Sequence, residues 1–325
     1  MYSLVIPVYC NEENLERLFI AVTAIQKRIA GDFECIFVVD GSPDRSYEIL
    51  REYLPKAPFR SQLLELSRNF GSFAAITAGL EAASGEFFAV MAADLQEPPE
   101  LVDQFFRILA DDRADIVFGT REGRSDSFLS DLLSTAFWSI YRVFVLKDMP
   151  EGGVDVFGCN RLVRDRLLQF KESTSNLIAL LLWMGFRRAF VPYRRRRRIE
   201  GRSAWTIHKK LRYCINSIFN FTDLPIQLLL YSGSVSLVMA LVGTVVLVIA
   251  KLTGHISVPG YTPIVLAIFF FGALTSLGLG IIGQYIWLNL QHTRARPNYI
   301  VHRIDCYVPE GESQGVDSIA TSSRM

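Results

Sequence analysis

The chain has 325 residues, half of them hydrophobic, with 34 Lys and Arg against 33 Asp and Glu. That length fits one sizeable α/β domain plus a membrane module, or two small soluble domains, and the balanced total charge points to no partner by itself. The five cysteines, Cys10, Cys35, Cys159, Cys214 and Cys306, have neither zinc spacing nor an even count. This excludes a full disulfide framework and suits reduced thiols in a cytosol-facing protein.

Residues 2–9 (YSLVIPVY) are predicted to form a buried strand, short, β-branched and bounded by polar residues. The stretch preceding the polar NEEN is too short and lacks the basic start of a secretory signal, so the N-terminal domain is expected to stay in the cytosol. Apolar positions Leu15, Leu18, Phe19, Val22, Ile25 and Ile29 give residues 12–30 a helical period. A second buried strand, 33–40, runs into the turn sequence GSPD. A helix over 45–54, a strand at 62–67, a helix at 72–83 and a strand at 87–92 follow, then a helix from Pro99 to Leu109 and a strand at 115–119. Regular alternation of strand and helix predicts an α/β fold with an open, mostly parallel sheet and flanking helices. Ligands of such sheets bind beyond the carboxyl ends of the strands, where Asp40, Arg68–Gly71 and Asp94 all fall.

Residues 128–146 and 173–186 have the pattern of amphipathic or apolar helices. Between Arg187 and Arg212 lie eleven Lys or Arg residues and one acid, Glu200. Residues 205–224 are expected to lie on a membrane surface, with Trp205, Ile207, Leu211, Ile215, Ile218 and Phe219 opposing Lys209, Lys210 and Arg212. No charged side chain occurs from Leu224 to Ala250 or from Ile256 to Gln291. Two transmembrane helices are therefore expected in 225–291, at about 226–250 and 263–290. Basic residues before the first and after the second place both termini in the cytosol, Lys251 being the exception. The expected division is a catalytic domain over 1–204, an interfacial helix, the hairpin, and a cytosolic tail over 292–325. The two expected spans themselves hold no acid or base, which argues against a proton-coupled transporter.

Individual residues carry alternatives. Asp40 is a ligand for a base or ribose, or a turn cap. Asp94, with Gln96, is a carboxylate for a divalent cation on a diphosphate, or a helix cap. Arg68 and the amides of the following turn are a phosphate cradle, or a capped helix start. The run Arg194–Arg198 beside a membrane segment is a lipid-facing basic surface or a phosphate clamp rather than a nucleic-acid site.

In order and spacing, IPVYCNEENL, VVDGSPDRS, LSRNFGSFAAITAGLEAASGE, ADLQEPPE, FGTRE, GGVDVFGCNRL, RRRIEGRSAW and RPNYIV resemble family 2 glycosyltransferases of the GT-A fold. The pattern is most similar to the polyprenyl-phosphate branch, which includes dolichol-phosphate mannose synthases and bactoprenol glucosyltransferases. The resemblance implies transfer of a hexose, glucose first, from a nucleotide-sugar such as UDP-glucose to undecaprenyl phosphate, with inversion and with Mg²⁺ or Mn²⁺. It implies that Pro7, Tyr9, Glu12, Asp40 and Arg68 hold the donor nucleotide, and that Asp94 and Gln96 hold metal and diphosphate. Arg121 and Asp155 would flank the reacting groups, and Arg195, Arg198 and Ser203 would seat the lipid phosphate. A multi-pass inner-membrane enzyme follows, in a homo-oligomer such as a tetramer, serving a flippase and a downstream transferase. Val39, Cys10-Asn11, Ala92, Ser130 and Ala204 depart from the family pattern, and Ala92 removes one of two metal carboxylates. A donor carrying a modified sugar such as an aminoarabinose derivative is the alternative within this chemistry, and a non-catalytic nucleotide-binding scaffold the alternative outside it.

Overall fold

The computed structural model describes residues 1–121, 150, 154–170, 177–194, 261–293 and 297–309, with single positions between 227 and 253. Contacts divide the chain into two units, Met1–Thr206 with Pro297–Met325, and Ile207–Arg296.

The first unit is an eight-stranded sheet. Its strands are β1 (Tyr2–Val8), β2 (Phe33–Val39), β3 (Arg60–Leu66), β4 (Phe87–Val90), β5 (Ile116–Arg121), β6 (Val154–Asn160), β7 (Arg188–Tyr193) and β8 (Val301–Tyr307). Their order is β7-β5-β6-β4-β1-β2-β3-β8. Only β6 and β8 run against the rest. The expected α/β sheet with flanking helices is therefore present, with two reversed strands.

Strand β2 is buried along its whole length, as a strand covered on both faces must be. Its one charged residue, Glu34, is 4% exposed and accepts the Ser3 hydroxyl at 2.6 Å and the Ser84 amide at 2.6 Å. Helix α1 (Leu15–Arg28) presents Leu15, Leu18, Val22 and Ile25 to the core, the stripe that its period predicts. Helices α2 (Ser46–Tyr53), α3 (Ser72–Ala82) and α4 (Glu100–Ala110) follow β2, β3 and β4. Gly79 lets α3 lie close on the sheet, because a Cβ there would stand 2.4 Å from Val5 Cγ1. Helix α5 (Arg161–Leu167) carries the buried Arg164, which donates to the carbonyls of Leu80 and Ala83 at the end of α3, at 3.1 and 3.0 Å. Helix α6 (Leu177–Trp183) leads into β7.

The chain winds from β1 outward through β2 to β3, then returns to place β4 on the other side of β1. The order reverses between β1 and β4, and the crevice beyond their carboxyl ends is the place where such sheets bind ligands.

In the second unit, α7 (Tyr261–Thr293) is continuous over 33 residues, although not every side chain along it is described. Among the described residues no helix is long and apolar enough to cross a membrane. The expected interfacial helix at 205–224 lies outside the described residues. So does most of 226–250, where the single described positions are helical. The expected helix at 128–146 is likewise outside them.

Candidate active site

Two residues with left-handed backbone mark the crevice between β1 and β4. Cys10 follows β1 and Leu95 follows β4, each with φ of 52°, a conformation that costs a non-glycine residue about 1 kcal/mol. Pro7 is half-buried on β1, level with Val38 of β2. Tyr9 projects with 39% of its surface exposed. Cys10, chiefly, and then burial hold the Tyr9 phenol above its usual pKa.

Asp94 sits in the turn after β4. Its carboxylate accepts the Gln96 amide at 3.3 Å. It does not cap α4, whose N-cap is Pro99 without a side-chain bond. Gln96 is 7% exposed, and its Oε1 is buried without a hydrogen-bond partner. An acceptor buried without a donor is destabilising by about 1–3 kcal/mol, so this carbonyl oxygen is open to a cation, a water or a donor from a ligand. Among the described residues, no three His, Cys, Asp or Glu side chains converge as a metal site. Mg²⁺ needs no such set, because it takes one or two protein oxygens plus substrate phosphate. Asp94 and Gln96 thus fit a divalent cation shared with a diphosphate.

The loop after β3 is built differently from the sequence expectation. Asp40 is 3% exposed, and its two oxygens accept the amides of Phe70 at 2.7 Å and Gly71 at 2.8 Å. These amides were expected to cradle phosphate; Asp40 occupies them instead. The Asp40 carboxylate, expected to bind a base or ribose, acts here as the anchor of the loop. Burial raises its pKa, opposed by the two amides and by Arg68. The Arg68 guanidinium donates to Asn69 O at 3.0 Å and lies 4.0 Å from the centre of the Phe70 ring. Gly41 makes the close approach possible: φ is +55°, and a Cβ would fall 2.2 Å from the Arg68 carbonyl carbon.

Glu12 is tied to the start of α2 through one carboxylate oxygen. Its Oε2 accepts the Arg45 amide at 2.9 Å, while its own amide donates to Asp44 at 3.1 Å. Asp44, not singled out from sequence beyond its turn, also accepts from the Ser42 hydroxyl at 2.6 Å and the Ser46 amide at 3.2 Å. Burial opposes its ionisation, but these hydrogen bonds together hold its pKa below the ordinary 3.8. A depressed carboxylate stabilises the fold above 3.8, and that contribution is lost as pH falls through the lower folded-state value. Asp44→Asn is therefore expected to lower the melting temperature at pH 7, with the gap from wild type closing in melts recorded below pH 3.8.

Arg121 ends β5, level with Tyr193 at the end of the parallel neighbour β7. Arg194, the first of the arginine run, directly follows β7 at this end, the same end as Asp94. Asp155 is the second residue of β6, one beyond Val154, which pairs with Thr120. Its backbone is at that end too, but its side chain lies outside the described residues, as do Arg195, Arg198 and Ser203.

Residues 3–170 match the model of the family described as Glycosyl transferase family 2. The chain belongs to this family. An uncharacterized glycosyltransferase of Synechocystis sp. is 32% identical over 92% of this chain and 94% of its own. At 28% identity over 93% of both chains, this family 2 glycosyltransferase is also similar to an undecaprenyl-phosphate 4-deoxy-4-formamido-L-arabinose transferase of Edwardsiella ictaluri. At 26%, over 93% of this chain and 98% of the other, it is similar to a prophage bactoprenol glucosyl transferase homolog of Escherichia coli.

Proposed function

We propose that this glycosyltransferase moves a hexose, glucose first, from UDP-glucose to undecaprenyl phosphate. The observation that carries the reading is the buried, unpartnered Gln96 Oε1 in the turn of Asp94, at the crevice where the strand order reverses. It suits a diphosphate-bound cation, and thus a nucleotide-sugar donor. For the acceptor, the support is that two relatives with different sugars both carry a polyprenyl lipid in their names. The shared feature is the lipid; the sugar differs, and an aminoarabinose derivative is the second reading, favoured by the relative that names one.

In the proposed reaction a phosphate oxygen of the lipid attacks the anomeric carbon from the face opposite the leaving group. The bond from that carbon to the donor's β-phosphate oxygen breaks, its electron pair leaves with UDP, and the configuration inverts. A phosphate is already an anion, so positioning matters more than deprotonation. Asp94 and Gln96 would hold Mg²⁺ or Mn²⁺, which when bound would neutralise the departing diphosphate. Arg121 would add positive charge near it, and Arg195, Arg198 and Ser203 would seat the lipid phosphate. Asp155 would orient the sugar hydroxyls.

We place the second unit in the membrane as a helical hairpin, behind an interfacial helix at 205–224. The charge-free stretches Leu224–Ala250 and Ile256–Gln291 support this. Tyr231, Val235, Val238, Val242, Val245 and Ile249 recur every three or four residues, each more than half exposed, a stripe that suits lipid better than water. The location would be the inner membrane, with the catalytic unit and both termini in the cytosol, in a homo-oligomer feeding a flippase and a downstream transferase.

Membranes containing the enzyme, supplied with undecaprenyl phosphate and Mg²⁺, should label the lipid from one of UDP-glucose, UDP-galactose, UDP-N-acetylglucosamine, GDP-mannose or a UDP-aminoarabinose derivative. Label from UDP-glucose supports the first reading; label only from a UDP-aminoarabinose derivative supports the second.

A further inference from the structure

Strand β8 lies at the sheet edge, antiparallel to β3, directly after the chain returns from the second unit. Its approach is tied down at several points. The Ile300 carbonyl accepts the Ser67 amide at 2.9 Å, one residue ahead of Arg68. The Tyr299 hydroxyl donates to Glu81 on α3, the helix that the donor loop opens. Further along, the Tyr47 hydroxyl of α2 donates to Asp305 at 2.5 Å, and the Arg303 guanidinium lies 5.5 Å from the Tyr47 ring centre. The loop Ser67–Gly71 is therefore gripped from two sides. Asp40 holds Phe70 and Gly71 from within the sheet, and Ile300 holds Ser67 from the edge.

We propose that residues 299–305 are a positioning clamp that sets the donor loop Ser67–Gly71 for nucleotide binding. This rests on the reading of that end of the sheet as the donor site. Without the clamp, Ser67 loses its backbone partner, and the loop is no longer held from the sheet edge. The residues from Arg68 onward then sample positions that do not fit the donor, and ordering them falls to the nucleotide. Because only three residues separate α7 from Pro297, the clamp also joins the donor loop to the helix proposed to lie in the membrane. An edge strand with a purely structural role would affect melting but not the donor affinity of the molecules that remain folded.

The test uses the full-length enzyme in lipid nanodiscs, with UDP and GDP as probes in calorimetry and with donor KM and kcat from turnover. Tyr299→Phe combined with Tyr47→Phe removes two hydroxyl contacts and no backbone. Loss of these hydrogen bonds is expected to raise the nucleotide Kd and donor KM about tenfold, with kcat little changed. Gln62 and Cys306 are opposite one another across β3 and β8. Adding Gln62→Cys allows a disulfide to pin the strand, and oxidation should restore the affinity while reduction removes it again. A double variant that melts lower but binds nucleotide and donor as wild type does would overturn the clamp and leave the donor site standing. Failure of the wild-type enzyme to bind either nucleotide would overturn the donor-site reading and the clamp with it.

Discussion

Asp94→Asn is expected to leave the protein folded and to lower sugar transfer by about 10²–10³-fold. Asparagine keeps the side-chain oxygen that accepts the Gln96 amide, so the turn after β4 survives. What disappears is the negative charge. Ala92 already stands where the family pattern has a second carboxylate, so this charge has no substitute within the motif. The remaining oxygen in the turn, Gln96 Oε1, is neutral and holds a cation weakly by itself. Turnover should fall and the Mg²⁺ concentration for half-maximal rate should rise, while the melting temperature stays near wild type. Transfer at the wild-type rate by Asp94→Asn would remove Asp94 from the chemistry.

Gly41→Ala is expected to be the most damaging single methyl group in the site. The added Cβ would stand 2.2 Å from the Arg68 carbonyl carbon and 2.5 Å from Arg68 Cα and Asn69 N, all backbone atoms that cannot rotate away. The loop has to retreat, which pulls the Phe70 and Gly71 amides from Asp40. Asp40 is 3% exposed and would be left with an under-bonded buried carboxylate. Left-handed strain at φ +55° adds to this. The sum is a loss of about 3 kcal/mol and a drop of roughly 6–12 °C in melting temperature, with UDP affinity reduced about 100-fold. Gly71→Ala is the control: φ is +101°, but nothing lies within 4 Å of the new Cβ. It should show conformational strain alone, a smaller loss of stability. Equal effects from the two variants would show that strain, not collision with the Arg68 backbone, governs this loop.

Much of the first unit can be read from sequence because its strands are buried on both faces. A strand such as FECIFVV is then almost continuously apolar, and the amphipathic helices between such strands stand out by contrast. Three strands escape this logic. β6 (VDVFGCN) is broken by Asp155 and by Gly158, where a Cβ would press on Phe88 O at 3.0 Å. β7 is hidden in the arginine-rich stretch. β8 (VHRIDCY) is an edge strand packed on one side, so it needs few apolar residues. Strand order is a tertiary property, and nothing local in the sequence puts β4 beside β1.

The site divides in the same way. Asp94 and Gln96 are visible because they follow a strongly apolar strand. That Asp40 is occupied by amides thirty residues further along is not visible, because the partner is the backbone and leaves no trace in residue type. Glu12 is a similar case: that one of its oxygens accepts the Arg45 amide at the start of α2 leaves no trace in residue type.

The proposed reaction is transfer of a sugar to a polyprenyl phosphate. The most direct measurement is the organic-phase radioactivity after purified enzyme in nanodiscs meets sugar-labelled UDP-glucose, with and without undecaprenyl phosphate and with and without EDTA. Label that enters the lipid phase only when undecaprenyl phosphate and divalent metal are both present is the predicted result. Release of UDP with equal label in the lipid phase whether or not the acceptor is added would contradict it.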